Sequence, residues 1–160
     1  MNTERLNESM IKDFKDLEVW QRGIELVKNV YTSSQRFPKE EMYGLVNQMR
    51  RAAISVVSNI AEGKARQTKN EYIQFLHIAL GSAAELETQV IVSNKLGYME
   101  NNCIQMLLEE INHVTRMIRK LIRSLRSNSP NSLSVNRKSY TVHREPLTVN
   151  RTPYTVNRTP

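Results

Sequence analysis

Residues 42–63 read MYGLVNQMRRAAISVVSNIAEG. Met42, Leu45, Met49, Ala52, Val56 and Ile60 recur there at steps of three and four, the period of one face of an α-helix. Upstream, Phe37-Pro38 precedes Glu40 and Glu41. Proline suits a first helical turn and the two acids complement the helix dipole, so the helix is expected to begin there. Gly63 is expected to close it or to begin its unwinding.

The same period extends in both directions. Phe14, Leu17, Trp20, Ile24, Val27 and Tyr31 form an earlier stripe, with Asp16 as its expected N-cap. Thr68-Lys69-Asn70-Glu71 has the form of a capping box, and Tyr72, Phe75, Ala79, Ala83, Leu86 and Val90 follow it up to Gly97, a C′ glycine. A last stripe starts near Asn101 or Asn102 and runs through Cys103, Leu107, Ile111, Val114, Ile118, Leu121 and Leu125. Four apolar stripes joined by short connections predict an all-α, up-down-up-down antiparallel four-helix bundle over residues 13–126, after a flexible N-terminus at 1–12.

Residues 127–160 are of another kind. SLSVNRK, SYTVHRE, PLTVNRT and PYTVNRT follow one another from Ser132 to Thr159. Leu or Tyr and Val are their only apolar members, too few for a core, and in-phase prolines exclude a coiled coil despite the heptad length. A disordered repeat tail is expected, and a basic arm touching phosphates is the functional alternative.

The chain has 160 residues, 39% of them hydrophobic, with 23 Lys and Arg against 16 Asp and Glu and a formal charge of +7. That size and a single cysteine permit one ordinary domain and exclude a disulfide scaffold. In the tail Arg137, Lys138, Arg144, Arg151 and Arg158 face only Glu145, a net +4 of the +7, which leaves the bundle mildly basic. Neither a signal-peptide run nor a membrane-length apolar stretch occurs, so the expected location is cytoplasmic, with no membrane partner. Cys103, among Ile104, Met106 and Leu107, reads as a buried thiol.

Glu110 and His113 form one Glu-x-x-His pair, whereas a two-metal bundle site needs one on each of two helices. No phosphate-cradling Gly-rich loop, nucleophile elbow or HExxH occurs. No catalytic residue, metal or cofactor is therefore assigned, and the chain is not expected to be an enzyme. Glu62 is expected to pair with Arg66 at i,i+4.

Opposite the apolar stripe of the second helix, Gln48, Arg51, Ser55, Ser58, Asn59 and Glu62 share one face. Small residues at Ala52, Ala53, Ser55 and Ser58 let another backbone approach. Two readings stand: a polar seam between helices or subunits through Gln48, Arg51, Ser55, Asn59 and Glu62, or a recess for an anion at Arg50 and Arg51. Basic side chains gather at Arg50, Arg51, Lys64, Arg66 and Lys69, the candidate nucleic-acid contacts. A second group, Arg116, Arg119, Lys120, Arg123 and Arg126, is accounted for by the dipole of the last helix, or continues a phosphate-binding surface.

Asp16-Leu17-Glu18-Val19-Trp20-Gln21, Phe37-Pro38, Tyr43-Gly44-Leu45, Gln48 to Ala53, Ser58 to Gly63, Phe75-Leu76, Gly81-Ser82, Glu85-Leu86 and Leu96-Gly97-Tyr98 carry a pattern. It resembles the bacterial four-helix bundle proteins encoded by intervening sequences within 23S ribosomal RNA genes. The resemblance spans about residues 13 to 126 in order and leaves out the tail. It implies a homopentameric ring and a role in binding RNA or DNA, with kinship to the accessory proteins of diversity-generating retroelements and no agreed enzymatic activity. It matches Arg50, Arg51, Asn59, Glu62 and Arg66 to motif positions that would line a subunit contact, a central channel, or both. The competing function is a protein-interaction scaffold ring with no nucleic-acid ligand.

Overall fold

The computed structural model describes residues 13–127. Among them four long helices make up the fold and no strand occurs: α1 (Glu18–Ser33), α2 (Leu45–Lys64), α3 (Lys69–Lys95) and α4 (Asn101–Ser127). The N-terminus at 1–12 and the repeat tail, apart from Ser127 at the end of α4, lie outside the described residues.

Contacts between helices fix their directions. Gly23 against Val57 and Ser34 against Arg50 join α1 to α2, and Ser55 against Ser82 and Gly63 against Phe75 join α2 to α3. His77 with Arg126 and Asn94 with Asn101 join α3 to α4, while Asn29 with Glu110 and Ser33 with Cys103 close α4 onto α1. In every pair one residue number rises as the other falls. Each helix therefore runs antiparallel to its neighbours, the geometry that short connections favour.

Local chemistry sets the ends. Thr68 and Glu71 form the expected capping box: the Thr68 hydroxyl accepts from the Glu71 N–H at 3.3 Å and the Glu71 carboxylate accepts from the Thr68 N–H at 3.1 Å. Gly97 ends α3 at φ +74°. Its N–H donates to the Asn94 carbonyl at 2.9 Å and the Tyr98 N–H to the Ser93 carbonyl at 2.9 Å, a Schellman closure.

Two starts differ from the sequence reading. Asp16 does not cap α1; its carboxylate reaches back to the Asp13 N–H at 3.2 Å and closes a 3₁₀ turn, Phe14–Asp16, ahead of the helix. Lys39–Met42 is likewise a 3₁₀ turn, and α2 starts only at Leu45, whose N–H donates to the Glu41 carboxylate at 3.2 Å. The Tyr98 hydroxyl donates to that carboxylate from the far side at 3.4 Å, and Phe37 packs on the Tyr98 ring at 5.6 Å.

The core runs down the bundle axis through Leu26, Met49, Ile60, Leu76, Leu86, Leu107, Ile111 and Ile118, all fully buried. Each contributes about 1.5–3 kcal/mol by leaving water. On α1 the buried face is Val19, Gly23, Leu26 and Val30, whereas Ile24 and Tyr31 of the expected stripe are exposed. Gly63 does not unwind α2. It is buried inside the last turn, where a Cβ would sit 2.8 Å from both Phe75 Cβ and Tyr72 Cδ2.

Tyr72 is buried beside Gly63, and its hydroxyl has no hydrogen-bond partner among the described residues. Burial pushes the phenol up to about 12 from 10.0. The unfolded chain ionises this group first, so its contribution to stability is complete below pH 10 and is lost as pH climbs towards 12. Tyr72→Phe is expected to remove that alkaline loss and to be at least as stable at neutral pH. Urea titrations at both pH values check this; a neutral-pH loss above about 1 kcal/mol would show that the hydroxyl is satisfied.

Candidate nucleic-acid interface

The polar face of α2 divides in two. Ser55 and Asn59 are half-buried and turned toward α3. Asn59 Nδ2 donates to the Ser55 carbonyl at 2.7 Å and to Ser55 Oγ at 3.1 Å; Ser55 Oγ lies 2.8 Å from Ser82 Oγ, which donates to the Ile78 carbonyl at 3.1 Å. With Ser82 committed to Ile78, Ser55 must be the donor to Ser82. The protons thus run in one direction, from Asn59 to Ser55 to Ser82 to the backbone. This part of the stripe is a contact between two helices of one chain.

Gln48, Arg51, Ser58 and Glu62 are exposed. Gln48, Arg51 and Ser55 line a shallow recess of about 350 Å³ with Ala52, Ile54 and Glu85. Ile54 and, on α3, Ile78 are 41% and 45% exposed. Gly81 on α3 opens onto free space.

The five candidate cations fall into three places. Arg50 turns toward α1: its Nε donates to the Ser34 hydroxyl at 3.1 Å and its guanidinium lies 4.7 Å from the Tyr31 ring centre. It ties the end of α1 to α2. Arg51, one residue on and so about 100° around the helix, is exposed beside the recess. Lys64, Arg66 and Lys69 gather at the α2–α3 turn, roughly 20 Å along the axis from Arg51 at 1.5 Å per residue. Arg66 pairs with Glu62 and covers the Phe75 ring at 4.6 Å. Both partners are solvent-accessible, so that pair adds little stability.

Elsewhere, Glu110 accepts from Asn29 Nδ2 at 2.8 and 3.0 Å, which fastens α4 to α1. Among the described residues no three His, Cys, Asp or Glu groups converge as metal ligands. Cys103 is half-buried rather than buried, its thiol donating to Ser33 Oγ at 3.1 Å. No helix among the described residues is long and apolar enough to cross a membrane. Reading the sequence missed His77, which the fold sets against Arg126 of α4 with Nε2 and Nη2 3.4 Å apart. Its only signal was its position, which acquires meaning once α3 and α4 are paired.

Comparison with known proteins agrees with this architecture. A crystal structure from Bacteroides thetaiotaomicron, a protein of unknown function from the S23 ribosomal protein family, superposes with a TM-score of 0.60 at 18% identity, covering 66% of this chain and 98% of that one. At that identity the likeness is one of fold. The curated proteins give no match. The family model for 23S rRNA-intervening sequence proteins matches residues 15–120, which take in nearly all of the four helices. On that match the chain belongs to the 23S rRNA-intervening sequence protein family.

Proposed function

We propose that this protein is a non-enzymatic, oligomeric nucleic-acid-binding bundle of the bacterial cytoplasm, a homopentamer that engages RNA or DNA through a basic surface. The α2–α3 turn is the observation that supports it. Lys64, Arg66 and Lys69 lie within six residues; Arg66 is shared with Glu62, and Glu71 is held by the Thr68 cap. The Thr68 hydroxyl and N–H, with Arg66 adding to them, hold the Glu71 carboxyl below the usual carboxylate range, so it stays ionised in the cap. Several copies of such a turn on one particle turn a weak phosphate contact into useful avidity.

A second reading, a scaffold ring without nucleic acid, draws on the exposed Ile54, which lines the recess with Arg51, Gln48 and Glu85. That surface suits self-association, and it serves the pentamer of the first reading equally. Light scattering on the full chain is expected to give about five times 18.6 kDa, with Arg51→Glu dissociating the particle. RNA affinity should fall steeply with salt and survive replacement of Arg137, Arg144, Arg151 and Arg158 by Gln. Absence of binding at low salt leaves the scaffold; loss only in the Gln variant moves the activity to the tail.

A further inference from the structure

We infer that the groove between the first half of α3 and the second half of α4 is a binding site for the sugar-phosphate backbone of a nucleic-acid strand. The inference rests on the nucleic-acid reading above and places its main contact on a different pair of helices. Arg119, Arg123 and Arg126 line this groove with His77, over a floor that includes Leu80 and Ile122. Arg116 and Lys120 extend the same basic half of α4, all five cations are exposed, and no acid follows Glu110 in the helix.

The structural explanations do not account for this row. A helix dipole acts within the last turn, where α4 carries Arg126, so it leaves Arg116, Arg119 and Lys120 unexplained. Among the described residues none of Arg116, Arg119, Lys120 and Arg123 forms an ion pair; the pairs seen are at Lys15, Lys28 and Arg66. Glu87 of α3 lines the adjoining recess with Arg119 without pairing to it. The row contains like-charge neighbours at i,i+3 or i,i+4, such as Arg116 with Lys120 and Arg119 with Arg123, and each such pair destabilises a helix. Glu25, Glu109 and Glu110 share a recess with Arg116, and Glu109 joins Glu87 beside Arg119, but none of them pairs with the row, whereas a bound polyanion offsets the repulsion along its whole length.

The layout also selects the ligand. Guanidinium forks match phosphate oxygens bidentately, and cations three and four residues apart rise about 4.5–6 Å per step along α4. A line of cations suits a chain of phosphates better than a single one. No Phe, Tyr or Trp lines the groove and His77 is its one ring, so the contacts are mainly to phosphate and binding is expected to depend little on sequence. The antiparallel pairing puts this end of α4 at the end of the bundle that carries the α2–α3 turn, so one strand passing across it meets both clusters.

Fluorescence anisotropy of the full chain with a labelled oligouridylate and with a DNA duplex, over a salt series, tests the site. R119Q/R123Q/R126Q is expected to bind at least tenfold more weakly and to lose about two units of the log-affinity against log-salt slope for the single strand, at roughly 0.7 per phosphate. R119K/R123K/R126K keeps most of that slope, and circular dichroism shows both variants helical. A Gln variant with wild-type affinity and slope overturns the site. If K64Q/R66Q/K69Q then loses binding, the nucleic-acid reading survives at the α2–α3 turn. A wild-type chain that binds neither probe at low salt overturns both.

Discussion

Leu107→Ala is expected to lower the free energy of unfolding by about 2–5 kcal/mol. Leu107 is fully buried in α4 among the residues that fill the bundle axis. Truncation forfeits its transfer out of water and leaves a cavity that close-packed neighbours refill only in part. The adjacent Met106 is 43% exposed, so Met106→Ala should move stability by less than about 0.5 kcal/mol. Urea titration reads both, with the midpoint of Leu107→Ala falling at unchanged slope. Equal effects at the two positions would mean that α4 is rotated from the phase described.

The next largest effect is expected at Gly63, and there the sign is informative. Alanine normally gains about 1 kcal/mol over glycine inside a helix. At Gly63 the new methyl would meet Phe75 Cβ, which is fixed to its own backbone, so α2 and α3 must separate. Overpacking of this kind costs about 1–3 kcal/mol, enough to make Gly63→Ala destabilising. Gly81→Ala, whose methyl meets nothing within 4 Å, should stabilise by up to about 1 kcal/mol. Thermal melts that rise for both variants would contradict the close approach of the two helices.

What the sequence could convey depended on how local the physics was. Thr68 with Glu71, and Gly97, act within a few residues of themselves, and both were legible. On α1 the expected stripe is half right: Leu17 is buried and Trp20 and Val27 pack against the core, while Ile24 and Tyr31 do not. The fully buried face of the helix is turned toward Gly23, which has no side chain to signal it and is buried because Val57 lies so close. The candidate site divides in the same way. The Glu62–Arg66 pair lies one turn apart on the chain and was read directly. That Ser55 would be consumed by Ser82, or Arg50 by Ser34 and Tyr31, depends on where other helices stand. The cations of α4 are visible in the sequence as a row that suits either the helix dipole or a phosphate-binding surface, and the choice stays open there because nothing in one strand of letters shows that a histidine of α3 will face them.

The serine, alanine and glycine contact between α2 and α3 also bears on the order in which the molecule assembles. A linker of four residues, Ala65 to Thr68, joins these helices, and Ser55 meets Ser82 across 27 residues of chain, whereas Asn29 finds Glu110 only across 81. Chain-closure entropy grows with the logarithm of that separation, so hairpins of helices adjacent in the chain, α2–α3 among them, close at a smaller entropic cost than the contact of α1 with α4. Small side chains, with few rotamers to freeze, let the α2–α3 hairpin close at little further cost in side-chain entropy.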